Sequence, residues 1–331
     1  MSHRRGADQG SGAKGDGRPL AIFLMGPTAS GKTALAAEVV GRLGCAIVSV
    51  DSAMVYRGMD IGTAKPGPDL LARAPHRLID ILDPLEPYSA ARFRDDALRE
   101  MHAIAALGRV PLLVGGTGLY FRALERGLST LPQANAEIRR GLGGEALAVG
   151  WPRLHARLAG VDPLAAVRIH PNDAQRIQRA LEVWMLTGHP MSELLADHQP
   201  ASLPFRVVKV VLAPADRRTL HERVARRFRA MVDAGLAEEV GRLRARGDLD
   251  PGLPSMRAVG YRQVWAYLEG EGDWTEMVRR GITATRQLAK RQLTWLRGEE
   301  AAARFDCVDP GSTDAVLTFL DRALSGEISE R

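Results

Sequence analysis

The stretch Gly26-Pro27-Thr28-Ala29-Ser30-Gly31-Lys32-Thr33 decides the fold of this chain. It follows an apolar run at residues 21–25 and precedes a helix-like run at residues 34–40. A strand, this G-x-x-x-x-G-K-T pattern and then a helix are typical of a phosphate-binding loop, in which backbone N–H groups and the helix N-terminus surround phosphate oxygens. Lys32 adds a positive charge, and the Thr33 hydroxyl can hold Mg²⁺. The stretch therefore predicts a diphosphate or triphosphate site.

Composition narrows the class of protein. Of the 331 residues, 45% are hydrophobic, which is enough for one large domain or two smaller ones. The two cysteines, Cys45 and Cys307, lie far apart in sequence, so we expect a reducing, cytoplasmic setting and neither a disulfide framework nor a zinc site. No apolar run reaches the roughly 18 residues that a membrane span needs. Residues 1–19 are polar and rich in glycine, so we expect a disordered tail and no signal peptide.

The order of apolar and amphipathic runs predicts an α/β fold with a helical insertion. Strands are predicted at residues 21–25, 45–50, 77–81, 110–114, 205–212 and 305–308. Helices are predicted at residues 32–43, 89–106, 136–142, 151–158, 163–168, 173–187, 219–245, 255–268, 274–297 and 312–324. We expect a P-loop NTPase-like parallel sheet flanked by helices, formed by residues 20–124 and 203–325, and an inserted all-helical domain at residues 125–202.

Two further features follow strands of the predicted sheet. Asp51 comes directly after the second strand, where a carboxylate can cap a helix, bind Mg²⁺ or act as a general base for an incoming nucleophile. Gly115-Gly116-Thr117-Gly118 follows the fourth strand and forms either a tight turn or a contact with the edge of a substrate. Spacing alone leaves these alternatives open.

Positive charge is concentrated in two segments. The chain carries 45 Lys and Arg against 39 Asp and Glu, a formal net charge of +6. Residues 279–297 contain cations and no acidic residue, and Arg286, Lys290 and Arg297 fall on one face of the predicted helix. Residues 216–229 are also rich in arginine. Such faces are either simply solvated or bind a polyanion such as nucleic acid, and charge alone does not decide between the two.

Additional motifs carry a family resemblance along residues 20–300. They lie at residues 49–52, 55–66, 75–80, 113–120, 169–173, 175–176, 179–183, 259–263 and 285–292. With the phosphate loop, they resemble the tRNA dimethylallyltransferases, the bacterial tRNA isopentenyltransferase family. The stretches Asp60-Ile61-Gly62-Thr63-Ala64-Lys65-Pro66 and Lys290-Arg291-Gln292 are much more specific than the phosphate loop, which many proteins share.

The resemblance implies a reaction and its substrates. The family transfers a dimethylallyl group from dimethylallyl diphosphate to N6 of the adenosine immediately 3′ of the anticodon, in tRNAs that read codons beginning with U. The expected ligands are dimethylallyl diphosphate, the tRNA anticodon stem-loop and Mg²⁺, and the phosphate loop holds an isoprenoid diphosphate rather than ATP. The acceptor base must leave the anticodon stack to react. We expect a cytoplasmic monomer without membrane contact.

The resemblance also implies residue roles. Lys32, Arg227 and the loop amides stabilise the leaving diphosphate, and Thr33 orders Mg²⁺. Thr28 matches a family position near the reacting carbon of the donor. Asp51 matches the residue that binds and deprotonates the adenine amine.

A larger set of residues matches positions at which the family contacts tRNA. They are Asp51, Ser52, Ala53, Met54, Thr117, Arg139, Gln175, Arg176, Ile177, Gln178, Arg179, Met256, Arg257, Gly260, Tyr261, Arg286, Lys290, Arg291 and Arg297. Many family members have Gln where this chain has Met54, and a thioether cannot donate a hydrogen bond. We expect this departure to affect one contact and not the reaction.

Three other functions are compatible with parts of the pattern. A small-metabolite kinase would share the phosphate loop and turn over ATP. A prenyltransferase that uses free AMP or ADP would not need a basic surface of anticodon size. An RNA-binding switch driven by a nucleoside triphosphate would not need a catalytic carboxylate. The helical insertion, the basic helix and the length of the resemblance favour prenyl transfer to tRNA.

Overall fold

The computed structural model of the chain describes residues 17–129, 131–196 and 202–327, which divide into two compact units. One unit contains the chain up to Leu124 together with the chain from Leu203, and the other is Glu125–Ser202. The boundaries fall where strand-containing sequence gives way to helical sequence and then returns. Most of the predicted disordered tail, residues 1–16, lies outside the described residues.

A six-stranded parallel sheet forms the centre of the first unit. Its strands are β1 (Leu20–Met25), β2 (Cys45–Val50), β3 (His76–Arg77), β4 (Val110–Gly115), β5 (Arg206–Ala213) and β6 (Ala303–Asp306). Their order across the sheet is β3-β2-β4-β1-β5-β6. Because β4 lies between β1 and β2, the carboxyl ends of these three strands meet at one edge, where open α/β sheets bind ligands.

Helices flank the sheet and make up the regular structure of the second unit within the described residues. They are α1 (Lys32–Leu43), α2 (Pro68–Arg73), α3 (Ala90–Ala106), α4 (Gly118–Arg126), α5 (Ala136–Val149), α6 (Trp151–Val161), α7 (Pro163–Arg168), α8 (Ala174–Thr187), α9 (Met191–Ala196), α10 (Arg217–Asp233), α11 (Leu236–Ala245), α12 (Tyr261–Leu268), α13 (Trp274–Leu296) and α14 (Ser312–Leu324). Helices α5 to α9 lie in the second unit. No helix of the described ranges is long and apolar enough to cross a membrane.

Side-chain alternation along the strands gives the sheet two buried faces. In β1, Phe23 joins the apolar cluster that includes α3, whereas Ile22 and Leu24 join the cluster that includes α1 and α14. A third cluster is built from α10, α11, α12 and α13. The helical unit has its own cluster, which includes the fully buried Leu158 and Leu181. Since each such side chain contributes ~1.5–3 kcal/mol on burial, each unit has a separate source of stability.

The predicted parallel α/β fold is confirmed, and the differences have backbone causes. The strand predicted at residues 77–81 is wrong beyond Arg77, because Leu78 and Asp80 have φ angles of 62° and 54°, which no strand tolerates. The helix predicted at residues 219–245 is divided into α10 and α11, because Gly235 has a φ of 99°. The helix predicted at residues 255–268 begins only at Tyr261. The short helices α2, α4 and α9 are missing from the prediction.

Candidate active site

A cavity of about 640 Å³ opens at the carboxyl ends of β1, β2 and β4. Its wall consists of the phosphate loop, the segment after β2, the turn after β4, and parts of α10 and α13. The charged side chains in this wall are Lys32, Arg227, Arg257, Arg291 and Asp51, which are four cations and one carboxylate. The cavity therefore favours a strongly anionic ligand.

The shape of the phosphate loop is held by α10. Ala29 of the loop has a φ of 64°, and for a residue with a side chain this left-handed conformation costs ~1–2 kcal/mol. Arg223 offsets that cost because its Nε donates a hydrogen bond to the Ala29 carbonyl at 2.8 Å. Sequence analysis does not single out Arg223 from the other arginines of residues 216–229. Its spacing of one helical turn from Arg227 is the signal that could have identified it.

Lys32 turns back onto its own loop. Its Nζ donates hydrogen bonds to the Pro27 carbonyl at 2.7 Å and to Ser30 Oγ at 3.3 Å. Burial, reinforced by the charge of Arg227 and opposed by that of Asp51, lowers the pKa of the Lys32 amine to about 7. An anion bound in the loop would favour the charged form of this amine. Lys32 is therefore poised to gain a proton when a diphosphate binds.

Asp51 uses one carboxylate oxygen to hold the turn after β2. Its Oδ1 accepts hydrogen bonds from the backbone N–H groups of Ala53 at 2.8 Å and Met54 at 3.3 Å. The carboxylate also interacts electrostatically with Lys32 and Arg227, so it shares the cavity with the phosphate loop. The carboxylate thus stabilises a turn, since no helix begins at Asp51. No hydrogen bond from a described residue reaches Oδ2, which can accept a substrate proton.

The turn after β4 connects the phosphate loop to the segment that carries Asp51. The backbone N–H of Gly26 donates to the Gly115 carbonyl at 3.3 Å, and that of Thr117 donates to the Val50 carbonyl at 3.4 Å. Thr117 also lines the cavity. The turn is therefore both a tight structural connection and part of the cavity wall, so the two alternatives left open by the sequence are compatible.

A buried carboxylate that sequence analysis misses organises the segment at residues 60–66. Glu239 is 2% exposed and accepts hydrogen bonds from the backbone N–H groups of Asp60, Ile61 and Gly62 at 2.8–3.1 Å. It also accepts the hydroxyl hydrogen bond of Tyr261 at 2.5 Å. An acidic residue inside the apolar stripe of α11 is the only sequence signal of this role. Gly62 and its neighbours line the cavity, so Glu239 fixes part of the cavity wall.

Some of the predicted RNA-contacting residues of the first unit are accessible, and others are buried. Those in the cavity wall or exposed on α13 are Asp51, Ser52, Ala53, Met54, Thr117, Arg257, Arg286, Lys290, Arg291 and Arg297. By contrast, Met256 and Tyr261 are fully buried and Gly260 is also buried. These three offer little or no exposed surface in this conformation, so their contact with RNA stays a prediction. They support the segment that presents Arg257 to the cavity.

In the helical unit, two predicted RNA-contacting arginines bind one buried carboxylate. Glu182 is fully buried and accepts hydrogen bonds from Arg139 Nε at 2.8 Å and Arg179 Nη1 at 2.7 Å. Burial alone would raise the pKa of Glu182, but the hydrogen bonds from both arginines outweigh this effect and hold the pKa below its usual range. The two guanidinium groups are therefore kept in fixed positions.

The other predicted residues of the helical unit lie on α8. Gln175 and Arg176 are exposed, and Gln178 donates a hydrogen bond to the Arg139 carbonyl at 2.9 Å. Ile177 is fully buried in the cluster of this unit, so its contact with RNA stays a prediction that its exposed side-chain surface does not support. Its packing orients α8 with the polar residues on the opposite side.

The fold and the cavity define an α/β protein of the P-loop class with a cationic site at the ends of its central strands. The family model described as IPP transferase matches residues 54–299. The tRNA dimethylallyltransferase of Thioalkalivibrio sulfidiphilus is 61% identical over 311 residues, which cover 93% of this chain and 97% of that protein. That of Alkalilimnicola ehrlichii is 62% identical over 310 residues, covering 94% and 97%. This chain therefore belongs to the IPP transferase family.

A solved structure agrees with this assignment. The crystal structure of the full-length tRNA isopentenylpyrophosphate transferase from Bacillus halodurans has a TM-score of 0.67 and 36% sequence identity to this chain. The match covers 93% of this chain and 96% of the other. The resemblance carried by the sequence motifs is confirmed, and so is the fold that it implies.

Proposed function

We propose that this protein transfers a dimethylallyl group from dimethylallyl diphosphate to N6 of the adenosine immediately 3′ of the tRNA anticodon. The observation that carries the proposal is one cavity that contains the phosphate loop, Lys32, Arg227 and Asp51. Such a cavity combines a site for an anionic leaving group with a carboxylate that can accept a proton. The tRNA dimethylallyltransferases to which the chain is similar support this choice of substrates.

The donor fits the cavity in two parts. Lys32, Arg227 and the loop amides are suited to the diphosphate. The apolar side chains of Val224, Phe228 and Met231, which line the cavity on the same helix as Arg227, are suited to the five-carbon group. A nucleoside triphosphate would instead require polar partners for a base and a ribose.

Transfer is proposed to proceed by attack of the adenine N6 on the allylic C1 carbon. The new N6–C1 bond forms as the C1–O bond breaks, and its electron pair leaves with the diphosphate. The N6 proton passes to Asp51 Oδ2, while Lys32 and Arg227 stabilise the charge that develops on the leaving group. Because an exocyclic amine is a weak nucleophile, alignment of N6 with C1 supplies much of the rate.

Mg²⁺ is proposed to bind at Thr33. The Thr33 hydroxyl and the Asp51 carboxylate both line the cavity. Within the described ranges, no group of three or more His, Cys, Asp or Glu side chains could hold a metal ion. The remaining ligands would therefore be diphosphate oxygens and water, which is the coordination that Mg²⁺ favours. The ion would neutralise part of the diphosphate charge.

For the RNA, we propose that both units contribute. Arg286 and Lys290 are exposed on α13, Arg297 is exposed directly after it, and Arg176 is exposed on α8. These cations suit the phosphates of an anticodon stem-loop, whose unpaired bases can leave the stack and enter a pocket. The helical unit is thus proposed to be an RNA-binding domain, and the reaction is proposed to occur in the cytoplasm, where tRNA is available.

The proposal is tested by mass spectrometry of nucleosides after tRNA is incubated with the protein, dimethylallyl diphosphate and Mg²⁺. The expected result is a gain of one dimethylallyl group on the adenosine 3′ of the anticodon. A control tRNA with guanosine at that position should gain nothing. Unaltered adenosine in the first tRNA would refute the proposal.

Two alternatives are tested by parallel reactions, one in which free AMP replaces tRNA and one that contains ATP and a small acceptor. Transfer to free AMP at a rate equal to that for tRNA would indicate a prenyltransferase for nucleotides. Phosphate released from ATP in the presence of a small acceptor would indicate a kinase. The basic faces of α13 and α8 favour neither alternative, because small acceptors would not use them.

A further inference from the structure

Gln292 of α13 connects the two loops that form the floor of the cavity. Its Oε1 accepts a hydrogen bond from the backbone N–H of Thr28 at 2.8 Å. Its Nε2 donates a hydrogen bond to the carbonyl of Gly116 at 3.1 Å. Gln292 is 9% exposed; its hydrogen bond to Gly116 is buried and that to Thr28 is partly buried. One amide thus links the phosphate loop after β1 to the turn after β4.

The amide packs closely against Gly116. A Cβ atom on Gly116 would lie 2.4 Å from Gln292 Nε2 and 2.9 Å from the Gly26 carbonyl oxygen, so only glycine is accommodated there. The direct backbone hydrogen bond between the loops, from Gly26 N to the Gly115 carbonyl, is long at 3.3 Å. Gln292 therefore supplies the stronger of these connections between the loops.

An amide is the side-chain group that this position requires. It accepts one hydrogen bond and donates another at the same time, and it does so without adding charge beside a diphosphate. An ionised carboxylate can only accept, and an aliphatic side chain does neither. Either replacement would leave a buried backbone group without a partner, which is unfavourable.

We propose that Gln292 is a positioning residue that fixes the separation of the donor side and the acceptor side of the cavity. Thr28 lies in the loop proposed to hold the donor, and Thr117 follows Gly116 in the wall proposed to face the acceptor base. Loss of the link would shift N6 relative to C1 without removing a group that binds either substrate. The inference rests on the proposed function.

The first test compares Gln292→Leu with Gln287→Leu, which alters an exposed glutamine of the same helix. Hydrogen–deuterium exchange followed by mass spectrometry measures the mobility of the loops at residues 26–33 and 115–118 without any substrate. We expect exchange in both loops to be at least ~10-fold faster in Gln292→Leu and unchanged in Gln287→Leu. Unchanged exchange in both variants would overturn the proposal even if the protein proved to have another activity.

The second test uses Gln292→Glu, with Gln287→Glu as the matched control. A protonated glutamic acid can accept from Thr28 and donate to Gly116, whereas the ionised form cannot donate. We therefore expect the single-turnover transfer rate of Gln292→Glu, divided by that of the wild type, to rise ~10-fold or more between about pH 8.5 and about pH 6, because burial raises the carboxyl pKa. A ratio close to one at both pH values would overturn the proposal, because a carboxyl group would then replace the amide without loss of rate.

Substrate binding separates positioning from a loss of the site. For Gln292→Leu we expect a transfer rate ~10–100-fold below that of the wild type, with the Kd values for inorganic diphosphate and tRNA within ~3-fold. A wild-type rate in this variant would contradict the role of Gln292. Absence of transfer by the wild type would instead refute the proposed function, and loop exchange would still decide the role of Gln292.

Discussion

At Asp51, one carboxylate oxygen holds the turn after β2, and the other is free for the reaction. The hydrogen bonds from the N–H groups of Ala53 and Met54 go to Oδ1. Replacement by alanine would remove both functions together and would not distinguish them. Replacement by asparagine retains an oxygen acceptor of the same size while removing the base.

Asp51→Asn is expected to lower the rate of prenyl transfer by ~10²–10⁴-fold, the usual contribution of a general base. The melting temperature should stay close to that of the wild type because the turn keeps its hydrogen bonds. Single-turnover kinetics with saturating substrates measure the rate, and Asp51→Ala, with a lower melting temperature, serves as the comparison. A near-wild-type rate in Asp51→Asn would remove this carboxylate from the mechanism.

Lys32 makes donor binding depend on pH. With a pKa of about 7 in the free protein, its amine is mostly charged below that pH and mostly neutral above it. A bound diphosphate favours the charged form and raises the pKa, so binding above pH 7 requires uptake of a proton. The affinity for inorganic diphosphate should therefore decrease as the pH rises above 7, by at most ~10-fold per pH unit.

Calorimetry at about pH 8, in buffers of different ionisation enthalpy, measures this uptake. The wild type should take up close to one more proton on binding than Lys32→Ala, since the Lys32 amine is mostly neutral at that pH before diphosphate binds. Equal proton uptake by both proteins would contradict the assignment of the titrating group to Lys32.

Helix α13 separates its packing face from its basic face. Ala289, Gln292 and Leu296 are buried, whereas Arg286 and Lys290 are exposed. The double variant Arg286→Ala, Lys290→Ala is expected to weaken tRNA binding and to reduce the slope of log Kd against log salt by ~1–2, because fewer counterions are released. Filter binding over a range of salt concentrations measures the slope.

An arginine elsewhere on the surface provides the control for α13. Arg322 of α14 is exposed and also carries one positive charge, so Arg322→Ala changes the net charge without changing the basic face. Its salt slope should equal that of the wild type. If the α13 variant kept the wild-type slope as well, its basic face would be only solvated.

The positions of helices could be predicted from the sequence where the spacing of hydrophobic residues and a capping residue indicate the same boundaries. In α3, the spacing of Phe93, Ala97, Met101 and Ile104 predicts the buried stripe, and Ser89 caps the helix through its Oγ. The local sequence pattern does not predict the structure where tertiary contacts determine the backbone conformation. Asp80 is held by Lys65 Nζ at 2.6 Å in a left-handed conformation that propensity does not anticipate, so the strand predicted there is cut short.

The same limit applies to the site. Lys32, Thr33 and Asp51 follow predicted strands in a recognisable order, so their convergence could be predicted. Glu239 and Gln292 could not be given a role, because their backbone partners lie 176 or more residues away in sequence and no local pattern reports such contacts. The sequence thus reveals the groups that face ligands, whereas the structure reveals the groups that hold them in place.

For the whole molecule, the apolar cluster of the helical unit is separate from those of the sheet-containing unit, which predicts two separable stabilities. Leu158→Ala removes a fully buried side chain of the helical unit and should cost that unit ~2–5 kcal/mol of its free energy of unfolding. Hydrogen exchange should then increase mainly within residues 125–202, and tRNA affinity should fall while diphosphate affinity is kept. Leu113→Ala, in the buried sheet, should lower the affinity for tRNA and the affinity for diphosphate.

If Leu158→Ala increased exchange equally in the sheet and abolished diphosphate binding, the two units would be one cooperative structure. The proposal of a distinct RNA-binding domain would then fail. Binding of inorganic diphosphate to the sheet-containing unit is the informative readout, because it does not require RNA.

The central claim is that the phosphate loop holds an allylic diphosphate while an adenine amine meets Asp51 in the same cavity. The most direct measurement counts both products in one reaction of the wild-type protein with tRNA, Mg²⁺ and either dimethylallyl diphosphate or ATP. We predict one diphosphate released for each dimethylallyl-adenosine formed from the allylic donor, and no phosphate released from ATP. Phosphate release from ATP that tRNA stimulates, with no prenylated adenosine formed from the allylic donor, would contradict the account.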